Sequence, residues 1–267
     1  MPSGSTYELW LPAERRQMDF RTPMLELWAY QKGGNDMNKK QENDPKKEMI
    51  MDIFDDQTGE KLKRYKYLNQ FIVQGQILFV GSSLMEQFPI NELQQTLDKK
   101  FIIYNRGVSG FVTEELLSVM DTCIFELVPS QIFINIGTND IASPNYKRKD
   151  LIANYDRILR EIKDRLPDCE VYVMAYYPVN PKARFPSVDE AMRKDLFNTR
   201  TNTTLQKANM SIKELALNYH YKFIDVNEGL VDTEGNLKEE YTVEGIHLWP
   251  NAYARIFKNL KQYLYTP

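Results

Sequence analysis

From residue 76 onward, short apolar runs alternate with longer stretches in which apolar residues recur every three or four positions. The runs are QILFV (76–80), FIIYN (101–105), QIFINI (131–136), EVYVMAYYPV (170–179) and KFIDV (222–226). Each is nearly continuous in apolar content, which is the pattern of a strand covered on both faces. The clearest helical stretch sets Leu151, Ile152, Tyr155, Ile158, Leu159, Ile162 and Leu166 along one face. Ser143-Pro144 ahead of it, a capping residue followed by proline, predicts its start. Another helix is predicted to open at Pro250, with Tyr253, Ile256, Phe257, Leu260 and Leu264 on one side, and residues 188–219 read as two helices in succession. Five strands joined by helical crossovers predict an α/β fold, a five-stranded parallel sheet with helices on both faces.

The first part of the chain is patterned differently. PMLELWAY, within residues 1–31, fits either a short helix or a strand, and residues 32–48 are polar with mixed charges, as in a linker or disordered segment. Residues 1–48 are read as a tail or linker, and as a candidate oligomer arm or lid; the arm would make the protein a homo-oligomer. Between 49 and 72, Ile50, Ile53, Phe54, Leu62, Tyr65, Leu68 and Ile72 recur at roughly helical spacing. That predicts one or two helices docked on the main domain, with a break at Gly59.

Composition narrows the partners. The 34 basic and 37 acidic residues are well mixed and leave a net charge of -3. This provides no basic footprint for nucleic acid or a membrane surface. No apolar run approaches the ~20 residues that span a bilayer. The N-terminus lacks a basic stretch followed by an apolar one, so no secretory signal is expected. Cys123 and Cys169 lie among apolar neighbours without a CxxC or Cys/His cluster. Together these point to the reducing cytoplasm.

In doubly wound sheets the functional residues gather in loops at the carboxyl ends of the strands. Here those loops hold Gly81-Ser82-Ser83, NRGVSG (105–110), GTND (137–140), YYPVN (176–180) and a last segment ending in VEGIHLWP (243–250). The paired serines can cap a helix or fill a turn, or one can be a nucleophile if a base takes its proton. The chain has two histidines, His220 and His247. His220 falls at the opposite, amino edge of the sheet and reads as structural or solvated. His247 follows Glu244 by three residues across Gly245, a spacing at which a carboxylate can orient one imidazole nitrogen. Asn139 is either an Asx turn or an amide donor, and Gly107 and Gly110 are turn residues whose N–H groups can face the crevice. A hydroxyl, an imidazole with a carboxylate and N–H donors on one edge are the inventory for acyl transfer.

GSSL, NRGVSG, GTND and EGIH, in this order and spacing, resemble the four blocks of the GDSL or SGNH hydrolase family over roughly residues 74–265. The nearest likeness is to bacterial GDSL-like lipases or acylhydrolases, similar to platelet-activating-factor acetylhydrolase catalytic subunits. The resemblance implies a three-layer αβα sandwich of flavodoxin-like order, with a hydrolase domain over 49–267 whose catalytic core is 74–265. It implies a serine esterase with no metal or organic cofactor. Ser83 aligns with the nucleophile, His247 with the general base, and Ser83 N–H, Gly110 and Asn139 with the oxyanion hole. Ser82 replaces the aspartate before the nucleophile. Glu244 stands where the family has aspartate; a backbone carbonyl is the alternative partner for His247. The expected substrate is a small-molecule carboxylic ester with a short acyl group, such as an acetyl ester of a sugar or small alcohol. Acyl transfer, lysophospholipid hydrolysis and a non-catalytic ligand-binding module are the rival readings.

Overall fold

The computed structural model describes residues 45–186 and 188–265, with side chains from residue 56 onward, so the readings of residues 1–44 lie outside the described residues. The described residues begin with helix α1 (Pro45–Leu68), then β1 (Ile77–Gly81), α2 (Ser83–Glu86), α3 (Ile90–Leu93) and β2 (Ile103–Gly107). It continues through α4 (Thr113–Ser118), α5 (Met120–Cys123), β3 (Gln131–Asn135), α6 (Thr138–Ala142), α7 (Arg148–Arg165) and β4 (Glu170–Met174). The last elements are α8 (Glu190–Phe197), α9 (Asn202–Asn218), β5 (Lys222–Ile224) and α10 (Pro250–Leu260).

All strand pairs are parallel, in the order β2-β1-β3-β4-β5. This is the flavodoxin-like order, with its switch point between β1 and β3. Alternation along the strands divides the core in two. Leu78, Val80, Ile132, Ile134, Val171 and Val173 face the helices that carry Leu116, Tyr155, Ile158 and Ile212. Phe79, Phe133, Tyr172 and Met174 face the other way, onto Met85, Phe88, Tyr253 and Ile256. Register puts Phe79 beside Phe133 and Phe133 beside Tyr172. Their rings stack at centroid separations of 4.9 and 4.7 Å, so cross-strand aromatic pairs tie the central strands together. Among the described residues, no helix is long and apolar enough to cross a membrane.

Several local expectations differ from the structure; β4 and β5 end at Met174 and Ile224, short of the apolar runs 170–179 and 222–226. Helix α1 runs unbroken through Gly59, and its first turn, residues 45–48, falls in the stretch read as linker. A single interior glycine costs only about 1 kcal/mol relative to alanine, less than the docking of the α1 surface can return. Helix α7 begins at Arg148 with Lys147 at its N-cap, not at Ser143-Pro144. Proline disfavours the helical conformation of the residue before it, and Ser143 accordingly takes φ -64, ψ 135 and ends α6. Finally, β2 is shifted toward its carboxyl end and reaches Gly107, so the NRG part of the glycine block is strand. Pro250 does occupy the first turn of α10.

Candidate active site

The turn from β1 into α2 presents Ser83 at the carboxyl edge of the sheet. Gly81 is held too close to the neighbouring strand for any side chain, since a Cβ there would lie 2.0 Å from Asn135 O. Ser83 is 7% exposed and opens α2. Ser82, fully buried beside it, sits at the N-cap position, yet its hydroxyl makes no cap bond and has no hydrogen-bond partner.

His247 reaches this point from the segment after β5. Its Nε2 lies 3.0 Å from Ser83 Oγ. Its Nδ1 bonds Glu244 Oε1, which also accepts the His247 backbone N–H at 3.0 Å. A carboxylate at Nδ1 fixes the proton there, so Nε2 presents its lone pair to the serine hydroxyl. Glu244 is 1% exposed. Burial alone would raise its carboxyl pKa, but the His247 charge, the two His247 hydrogen bonds and Arg200 together hold it below its ordinary value. The turn that sets this geometry is compact. Thr242 Oγ1 accepts Gly245 N–H at 2.9 Å and donates to His247 O at 2.7 Å. Gly245 has φ +99, and its carbonyl accepts the Asn180 N–H at 2.8 Å.

Asn139 lies in the first turn of α6, after Gly137. Its Oδ1 accepts from Arg200 Nη2 at 2.9 Å, and its Nδ2 donates to Phe111 O at 3.0 Å. A guanidinium can only donate, so this contact fixes which end of the amide is the NH2. Arg200 also donates to Thr138 O at 3.2 Å. Burial pushes its guanidinium down to about 9, against the opposing pull of Glu244. Gly110 occupies the turn after β2 with φ +82.

The structure therefore brings Ser83, His247 and Glu244 into one hydrogen-bonded chain, with Asn139 and Gly110 on adjacent loops of the same edge. His220 is elsewhere, as expected. It takes φ +60 at the end of α9, where its N–H bonds Leu217 O and the Tyr221 N–H bonds Ala216 O. That is a Schellman cap at the amino end of β5. Cys123 and Cys169 are buried free thiols, both pushed up to about 12 by burial. Sequence reasoning missed Arg200, Asn180 and Glu86. Glu86, three residues after Ser83, accepts the Ser109 N–H and hydroxyl at 2.6 and 2.8 Å. Its proximity to Ser83 on α2 was the available signal for Glu86, and the carboxyl-edge loop YYPVN held Asn180 without giving it a role; nothing in the sequence marks Arg200.

A flavodoxin-like sheet with a hydroxyl, imidazole and carboxylate linked at its carboxyl edge defines a hydrolase-type α/β protein. Residues 79–255 match the GDSL-like Lipase/Acylhydrolase family. A solved chain from Streptococcus pneumonia, described as a platelet activating factor, is 30% identical. It superposes with a TM-score of 0.72, covering 82% of this chain and 97% of that one. Platelet-activating factor acetylhydrolase IB subunit alpha2 of Rattus norvegicus is 23% identical over 70% of this chain and 74% of its own length. An Escherichia coli N-acylneuraminate cytidylyltransferase is 24% identical over 70% of this chain, but the match spans only 39% of that protein. The chain belongs to the GDSL-like lipase/acylhydrolase family and is a hydrolase.

Proposed function

We propose that the protein is a serine esterase that hydrolyses carboxylic esters through an acyl-enzyme. The observation that carries this is the bonded chain from Ser83 Oγ through His247 to the buried Glu244. His247 Nε2 takes the Ser83 proton as Oγ attacks the ester carbonyl. The N–H groups of Ser83 and Gly110 and the Asn139 amide hold the oxyanion. His247 then protonates the leaving alcohol. In the second half, it deprotonates a water that attacks the acyl carbon, and the carboxylic acid leaves as Ser83 recovers its proton. Glu244 holds the imidazole in the required tautomer and offsets the charge that forms on it.

The acyl group we propose is short, acetyl in the first instance, on a sugar or small alcohol. The name of the acetylhydrolase relative supports that choice. Residues 74–265 form the catalytic unit in this reading, and the two buried free thiols favour a cytoplasmic setting. Ser83→Ala and His247→Ala are each expected to lower kcat on p-nitrophenyl acetate by about 10³-fold or more. Wild-type turnover in both would refute the mechanism. A kcat/KM that climbs from acetyl to octanoyl esters would refute the short-acyl assignment.

A further inference from the structure

We infer that Glu86 and helix α1 together position the glycine loop that carries Gly110. This rests on the reading of Gly110 N–H as an oxyanion donor. Glu86 sits on the same short helix as Ser83, and one of its carboxylate oxygens accepts both the N–H and the hydroxyl of Ser109, the residue before Gly110. The other oxygen pairs with Lys61 of α1. The loop is also packed directly on the nucleophile helix, because a Cβ on Gly107 would lie 2.3 Å from Glu86 N. The Asn105 side chain donates to Met85 O at 2.6 Å and accepts the Gly107 N–H at 2.9 Å.

Helix α1 grips the same block from outside. Tyr65 donates its hydroxyl to Gly107 O at 2.6 Å. Asn69, just past the helix, accepts from Arg106 Nε and Nη2 at 3.1 and 2.9 Å. The matched family region begins at residue 79, so α1 acts on the site from outside that region. A surface ion pair alone is worth little, and Lys61 and Glu86 are 32% and 23% exposed. Two things raise the stakes here. Both donors of Ser109 converge on one carboxylate oxygen, which fixes the peptide leading into Gly110. Lys61 also pairs the carboxylate charge that Glu86 brings to the nucleophile helix.

The test uses the full chain and p-nitrophenyl acetate, with Ser83→Ala and Asn139→Ala as references. Glu86→Ala is expected to lower kcat about 10-fold or more, since a misplaced donor forfeits part of the ~10²–10³ a donor supplies. KM should stay within about 3-fold. Glu86→Gln, which keeps an acceptor for Ser109, should recover part of that loss. Ser109→Ala and Lys61→Met should show smaller falls in kcat, again without a matching rise in KM. A folded Glu86→Ala with wild-type kcat overturns the inference, as does a loss confined to KM. If Glu86→Ala does not fold, Ser109→Ala decides by the same criterion. Full turnover in Ser83→Ala would instead sink the underlying mechanism. Impaired Ser83→Ala and Asn139→Ala beside an unaffected Glu86→Ala would sink only the positioning role.

Discussion

Adjacent serines in the turn after β1 have different surroundings. Ser83 Oγ meets His247, whereas Ser82 Oγ is buried with no hydrogen-bond partner. A buried, unsatisfied hydroxyl carries a desolvation cost of about 1–3 kcal/mol. Ser82→Ala is therefore expected to leave kcat within about 2-fold and to hold or raise the melting temperature. A 10-fold loss of kcat with normal folding would show that Ser82 serves the site. Ser83 and Asn139 were legible because each follows an apolar run at a strand's carboxyl end, where chain order alone predicts the edge, and His247 because it is one of two histidines and lies in the segment between the last strand and the helix at Pro250. Glu244 was legible through its spacing from His247. Arg200 was not, because its partner Asn139 is 61 residues away in sequence and the pairing exists only once α6 and α9 have packed. The same holds for Glu86, whose partner Ser109 lies 23 residues on.

Among the elements, the turn over residues 242–248 has little freedom. Gly245 holds φ +99, and a Cβ there would fall 2.6 Å from Asn180 O and 2.7 Å from Phe197 Cζ. Gly245→Ala must therefore move the turn or the Asn180 loop. It is expected to cost about 1–3 kcal/mol of stability and to lower kcat at least about 10-fold by displacing His247. Thermal melts and steady-state kinetics check both. Normal activity would mean that the turn does not set the imidazole's position. The strands were readable because burial on both faces leaves a continuous apolar run, while helix boundaries depend on subtler competition. Proline at 250 opens α10 because its own backbone suits a first turn, whereas proline at 144 displaced the start of α7 by dictating Ser143. Gly59 was overruled by the docking of α1, which periodicity cannot weigh.

Across the whole molecule, charge burial at one point makes stability depend on pH. The Glu244 carboxyl is held below its ordinary value of 4.5 in the folded protein. A lowered folded pKa means that its contribution to stability is complete above the unfolded value and is lost as pH falls through the folded one. The advantage of the wild type over Glu244→Gln in melting temperature is thus expected to shrink on acidification below about pH 4.5. A gap that stays constant from pH 6 down to 3 would contradict it. The strand order has a further consequence. Ser83 follows the inner strand β1, while His247 follows the edge strand β5, 164 residues later. The imidazole must travel back across β3 and β4 to reach the hydroxyl. On the proposed mechanism, a nascent chain that has already assembled its central strands carries a serine with no base. Turnover is then expected to switch on only when the segment after the last strand has been made and seated, so an activity assay during translation would report completion of the fold rather than formation of its sheet.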